Sequence, residues 1–304
     1  MPQPTTDPGE PIDIAARPPR RRADAPPWAR RLLIGLAAGY FAVIVVLPVA
    51  ALIHGAVFSE PPADRPLFDP PLVERPAPPA PGSRLWSSEA ATAFGLTLLA
   101  AAAAIAVNTV FGTVLAWVLV RKRFPGRALL NGLIDLPFAV SPVVAGYMLL
   151  LLYGRGGWLA GLTDALGVPV AFALPGVLLA TGFVGLPFVV RELVPVLEEL
   201  GDEEEQAAAT LGAGPLTTFF RVTLPGLKWG LLYGAVLTGA RALGEYGAVA
   251  VVGGAVTGRT ETATLFIDRM LLERDQPTAY AASLLLVGIS VVFLAGLEFL
   301  KRRR

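Results

Sequence analysis

Arg241 and Glu245 stand four residues apart inside the otherwise apolar run WGLLYGAVLTGARALGEYGAVAVVGG, and this is the first place where the sequence could do chemistry. At helical spacing the two share a face. Arg241 lies 12 residues past Trp229, about 18 Å along a helix axis. If the run crosses a bilayer, that is mid-depth in a layer about 30 Å thick, where ionisable side chains pair with one another or line a wet cavity. Two readings follow. The favoured one is a structural pair that neutralises itself and holds helices together; the other is a positive potential along the route of an anion. A second polar cluster is DLPFAVSPVVAGY, residues 135–147. Pro137 and Pro142 each remove a backbone donor, and Ser141 offers a hydroxyl between them. In lipid, freed carbonyls are tolerated only beside protein or a water-filled path. Asp135 reads as solvated near the membrane surface, and Pro187 as a further break in a later run.

Beyond these groups, reactive side chains are scarce. The chain has no cysteine and a single histidine, His54, so thiol nucleophiles, disulfides and histidine metal clusters are excluded. No G-x-x-x-x-G-K-[ST] loop occurs to cradle a nucleotide. We therefore expect no catalytic residue, no metal site and no cofactor bound by this chain. The net charge of +1 gives no global field for nucleic acid.

The most informative segment is DEEEQAAATLGAGPLTTFFRVTLPGLKWG, residues 202–230. Four acids, Asp202 to Glu205, suit a helix N-terminus, and Gly212 suits a helix end, because glycine accepts the left-handed conformation. An amphipathic piece closed by Pro225 follows. The spacing predicts a short helix, a turn and a second helix, with Ala207, Ala208 and Ala209 small enough for another surface to approach the backbone. On the residues alone, a solvated hairpin is an equal reading.

Lipid must surround the elements that position these groups. Hydrophobic residues make up 54% and charged ones 16% of 304 residues, against roughly 25% charged in a soluble domain. Six apolar runs reach the roughly 20 residues a spanning helix needs, near 32–57, 92–120, 129–153, 170–196, 229–252 and 280–300. The fold class is therefore all-α, a polytopic membrane protein with six transmembrane helices in a domain at 32–300. Residues 1–27 hold eight prolines and 61–82 hold nine, which marks 1–31 as a disordered basic tail and about 58–91 as an extended outer loop. Seventeen Lys and Arg fall in the segments that lie inside if the N-terminus is inside, against seven outside. Both termini, including the basic tail 301–304, are thus expected in the cytoplasm, with the loop at about 197–228 on the same side.

Segment 202–230 resembles the coupling loop of ATP-binding-cassette importer permeases, whose pattern is Glu-Ala-Ala, three residues, Gly, nine residues, Ile, any residue, Leu, Pro. Ala207, Ala208, Gly212, Val222, Leu224 and Pro225 stand in register, and Gln206 replaces the leading Glu. In such loops that Glu helps seat the ATPase, and the acids just upstream are available to compensate. Together with residues 108–146 and 240–262, the segment makes the chain similar, from about 85 to 300, to the permeases of bacterial sulfate/thiosulfate importers, most of all to the W-type subunit. The related molybdate/tungstate permeases share the Gly244–Glu245–Tyr246–Gly247 core.

The resemblance implies the type I ABC importer permease fold in the bacterial cytoplasmic (inner) membrane. It also implies a T-type sister permease, two ATPase subunits that carry ATP and Mg, and an extracytoplasmic sulfate-binding protein as partners, besides membrane lipid. The chain would then be no enzyme on its own. Arg241, Glu245, Ser141 and Pro142 become candidates for the translocation path or an intramembrane pair. The outer loop 253–279, with Arg259, Arg269 and Arg274, reads as solvated or as the binding protein's docking place. The alternatives are a molybdate/tungstate permease or, in a different class, an ion-driven secondary transporter. The latter usually shows paired broken helices in two repeated halves, and no such repeat is visible. A membrane-embedded enzyme would need nucleophiles or metal ligands that are absent.

Overall fold

The computed structural model describes residues 82–302, apart from 123, 124 and 156. The tail 1–31, the apolar run 32–57 and the proline-rich stretch up to residue 81 lie outside the described residues. Among the described residues the chain is helical, with no strand.

After a 3₁₀ turn at Ser83–Trp86, helix α1 spans Ser88–Arg121; Ser87 caps it, its hydroxyl accepting the Ala90 N–H at 3.2 Å. Next come α2 (Arg127–Ala139), α3 (Pro142–Tyr153), the short α4 (Ala160–Leu166) and α5 (Leu174–Leu200). The 202–230 segment contains α6 (Glu203–Thr210), α7 (Pro215–Thr218), a π-helical stretch at Phe219–Thr223 and α8 (Leu224–Gly226). Helices α9 (Lys228–Leu243), α10 (Gly247–Gly253), α11 (Ala263–Leu272) and α12 (Gln276–Arg302) complete the chain.

Three helical stretches are long and apolar enough to cross a membrane unaided: α1, α5 and Gln276–Gly296 of α12. The runs at 129–153 and 229–252 are not straight spans. The first is α2 and α3 bent by 117°, the second α9 and α10 bent by 63°. At the first bend Ser141 is extended (φ −58°, ψ 138°) because Pro142 crowds the helical conformation of the residue before it. Pro142 then occupies the first turn of α3, where its missing N–H costs nothing. The expected break at Pro187 does not occur: Pro187 and Pro195 both sit inside an unbroken α5. Other helices reach the same stretch of α5, the Asn108 amide donating to the Gly182 carbonyl at 2.9 Å and the Thr238 hydroxyl to that of Gly185 at 3.4 Å. Pro137 likewise lies within α2.

Helices α1, α5 and α9 pack mutually and form the heart of the bundle. Small residues such as Ala100, Ala104 and Ala116 allow the close approach that drives helix association in lipid. Toward the 202–230 segment, Ala116, Leu119, Ile134, Val189, Val190, Leu193, Leu197 and Leu227 bury one another. At the far end α11 packs on α1 and α12 through Phe94, Phe266 and Met270.

That far end also carries an ion network rather than solvated charges. Arg269 reaches Glu261 at 2.6 Å, Glu89 at 2.9 Å and Glu273 at 3.3 Å, and Glu273 also pairs with Arg84. The Arg269 guanidinium is accordingly held further into its charged range, chiefly by its hydrogen bond with Glu261. For Glu273, burial pushes the carboxyl up, but hydrogen bonds from Arg84 and Arg269 outweigh it and leave the carboxyl below the usual carboxylate range. A lowered folded-state pKa stabilises above the unfolded value of about 4.5 and is lost as pH falls through the folded value. We therefore expect the wild type to unfold at a higher temperature than Glu273→Gln between roughly pH 6 and 8, with the gap closing below about pH 4. Thermal unfolding in detergent across that range checks it, and a gap widening in acid would contradict the network.

Candidate functional site

The structure brings the two helix breaks together. Helix α10 packs along α3, and the approach is set by two glycines. A Cβ on Gly146 would lie 2.6 Å from the Ala248 carbonyl oxygen, and one on Gly247 would lie 3.1 Å from Pro142 and Val143 atoms. The break around Gly244–Tyr246 therefore faces the break around Ser141 and Pro142.

Glu245 organises this junction. Its side chain is 2% exposed and its Oε2 lies 2.7 Å from Nη1 of Arg241, whose side chain is 30% exposed. The same carboxylate accepts the Ala248 N–H at 3.1 Å in the first turn of α10, and the Glu245 carbonyl accepts the Thr264 hydroxyl at 2.6 Å. The pair thus forms as the spacing predicts, but not on one helix: α9 ends at Leu243, and the acid lies in the bend. Because Glu245 is buried and Arg241 is not, the accessible edge of the pair is cationic. Tyr246 is exposed beside it and donates to Asp268 at 3.1 Å. Ser141 is exposed and caps α3 through its backbone alone.

The 202–230 segment is a helix, a turn and an irregular second helix. Gly212 adopts φ +83°, its N–H donates to Ala209 and that of Ala213 to Ala208, both at 3.0 Å. This is the Schellman closure, which satisfies the last carbonyls of α6. Pro225 does not close the second helix as expected: α8 continues into α9 through Leu227, which is fully buried and helical in conformation. Gln206 and Ala207 are exposed and Ala208 half-buried, while Val222 and Leu224 turn partly inward. The outer surface is apolar, with Leu211 88% exposed and Leu216 and Phe220 also open. These exposed apolar side chains lie beside the acids and small residues of α6 and leave a surface that another chain could cover.

Several polar partners escaped sequence reasoning. Asp135 is bound by Arg191 of α5, which also reaches the Asn131 side chain at 3.1 Å. Glu205 is not free to compensate for Gln206, because it points inward to Arg121 and Thr223. Partners separated by 56 and 84 positions leave no local spacing signal. Among the described residues, no three His, Cys, Asp or Glu side chains are grouped to hold a metal.

Comparison with known proteins places this geometry. A family model described as binding-protein-dependent transport system inner membrane component matches residues 108–304. The chain is 52% identical over 211 residues to the sulfate transport system permease protein CysW of Synechococcus elongatus, covering 69% of this chain and 74% of that protein. It is 44% identical over 272 residues to the protein of the same name from Synechocystis sp., covering 90% and 92%. Its fold is similar to that of a bacterial alginate ABC transporter, solved in complex with alginate pentasaccharide-bound periplasmic protein. The TM-score is 0.69 at 14% identity, over 91% of this chain and 94% of that one.

Proposed function

The chain belongs to the family of binding-protein-dependent transport system inner membrane components, and from that premise we propose that it is the permease subunit of an ATP-driven importer of sulfate or thiosulfate. It is a multi-pass protein of the cytoplasmic membrane. The observation that carries the substrate is the 44% identity, across nine-tenths of both chains, to a protein named for sulfate transport. In this reading the bundle has six spans with both termini inside, each bent pair counting as one span and 32–57 supplying the first.

The 202–230 segment is the coupling loop. What supports this is its exposed apolar rim, Leu211, Leu216 and Phe220, next to the small residues Ala207 and Ala208. Separate ATPase subunits grip it there, and their closure on ATP swings the spans between inward and outward states. A sister permease completes the pathway, and an extracytoplasmic binding protein delivers the anion. The family description and the periplasmic protein in the alginate transporter complex support the latter. The cationic edge of Arg241, beside Ser141 and Tyr246, offers an oxyanion a polar route once delivered.

Labelled sulfate uptake by cells dependent on this chain tests the substrate, with excess molybdate as competitor. Uptake that resists molybdate supports the proposal; uptake abolished by it transfers the chain to molybdate/tungstate transport. Gly212→Val tests the loop. A β-branched residue at φ +83° is strained by about 1–2 kcal/mol, enough to weaken ATPase binding about tenfold. Membrane insertion should be unchanged, because the space around Gly212 is open. ATPase co-purification at the wild-type level would remove the loop from this role.

A further inference from the structure

Arg121 is the last residue of α1, and all three guanidinium nitrogens are engaged. Its Nε lies 3.3 and 3.2 Å from the two carboxylate oxygens of Glu205 on α6. Its Nη1 donates to the Leu197 carbonyl at 3.1 Å, and its Nη2 donates to the Gly201 carbonyl. Glu205 also accepts the Thr223 hydroxyl, at 2.8 Å, from the π-helical stretch. Both ionic side chains are largely shielded, at 12% and 19% exposure. Two side chains thereby tie together the end of α1, the C-terminus of α5 and both halves of the 202–230 segment.

The chemistry is specific to arginine. The Leu197 and Gly201 carbonyls lie where a helix leaves acceptors unpartnered and where a cation is favoured. A rigid planar fork serves carboxylate and carbonyls at once, whereas an ammonium is a point charge that cannot span them. The mechanical setting makes the tie consequential. Helix α6 packs chiefly on α7 and the π-helical stretch, and its covalent link to α5 runs through Gly201 at φ +62°. Without the clamp, α6 is a short helix on a glycine hinge.

We infer that Arg121, with Glu205 and Thr223, is the positioning device that transmits movement of the 202–230 segment into α1 and α5. It touches neither ATPase nor anion. Because α1 and α5 pack on α9, displacement passes on to the Arg241 junction. This rests on the proposed reading of the segment as a coupling loop.

The test uses the whole transporter, with its ATPase and binding protein, in liposomes, measuring ATP hydrolysis and labelled sulfate uptake on the same preparation. Arg121→Gln should bind the ATPase in wild-type proportion and hydrolyse ATP, yet move at least about fivefold less sulfate per ATP, within the usual span of coupling between sites. A purely structural role would lower the amount of complex and leave that ratio unchanged, which overturns the inference. Should Arg121→Gln fail to assemble, Thr223→Val removes one hydrogen bond. A lowered ratio then supports the clamp, and an unchanged one rejects it. A wild-type chain that bound no ATPase would sink the coupling-loop reading and the clamp with it. Intact binding with an unchanged ratio sinks the clamp alone.

Discussion

Replacing Glu245 by alanine will destabilise the folded protein by about 1–3 kcal/mol, the range for leaving a buried donor without its acceptor, because the Arg241 guanidinium left behind is part-exposed and regains water. The carboxylate is 2% exposed, and its loss leaves the Ala248 N–H without its acceptor. Thermal unfolding in detergent measures this, and a change under about 1 kcal/mol would show that the bend does not depend on the pair. The double variant Arg241→Met, Glu245→Met removes the unpaired guanidinium and refills the volume, so it should recover part of the loss, the remainder being the Ala248 N–H that still lacks its acceptor. Its transport then separates the two readings of the pair. Uptake retained by a stable double variant assigns the pair to holding the bend. Uptake lost from it assigns Arg241 to the anion route.

The second large effect is expected at Gly146. Its Cβ position lies 2.6 Å from the Ala248 carbonyl oxygen and 2.9 Å from the Val251 Cβ. Backbone on one side cannot yield as a flexible side chain would, so Gly146→Val should cost about 3 kcal/mol or more by overpacking. Helix α3 would lose its seat on α10, and the yield of monodisperse protein should fall with the unfolding temperature. Gly132→Ala on α2 is the control: nothing lies within 4 Å of its Cβ position, and alanine is the better helix former. If Gly146→Val unfolded with Gly132→Ala, the two breaks would not be held together by this contact.

What could be read from residues alone was whatever depends on near neighbours. The apolar runs at 92–120, 170–196 and 280–300 correspond to α1, α5 and most of α12 because length and apolarity suffice to specify them. Gly212 was legible because a left-handed helix end is a one-residue requirement. Proline was less reliable. Pro142 marks a bend while Pro187 lies inside an unbroken helix, although each removes the same backbone donor and the two look alike in sequence. The Arg241–Glu245 pair was visible at four positions' spacing, but the bend between them was not. Arg121 and Arg191 find acids brought near only by packing, as Arg269 finds Glu89, so each looked like an ordinary flank or loop charge.

The 117° bend between α2 and α3 bears on how the chain is made. During insertion, residues 129–153 present one apolar stretch long enough to be accepted as a single span. The helix that seats α3 in its bent position, α10, emerges about 100 residues later, a delay of about 5–20 s at ordinary rates of synthesis. Pro142 sets the bend locally, but α3 is without its seat until α10 has been made. A ribosome stalled before residue 247 should hold the earlier spans inserted but still open to chaperones and membrane proteases at α3.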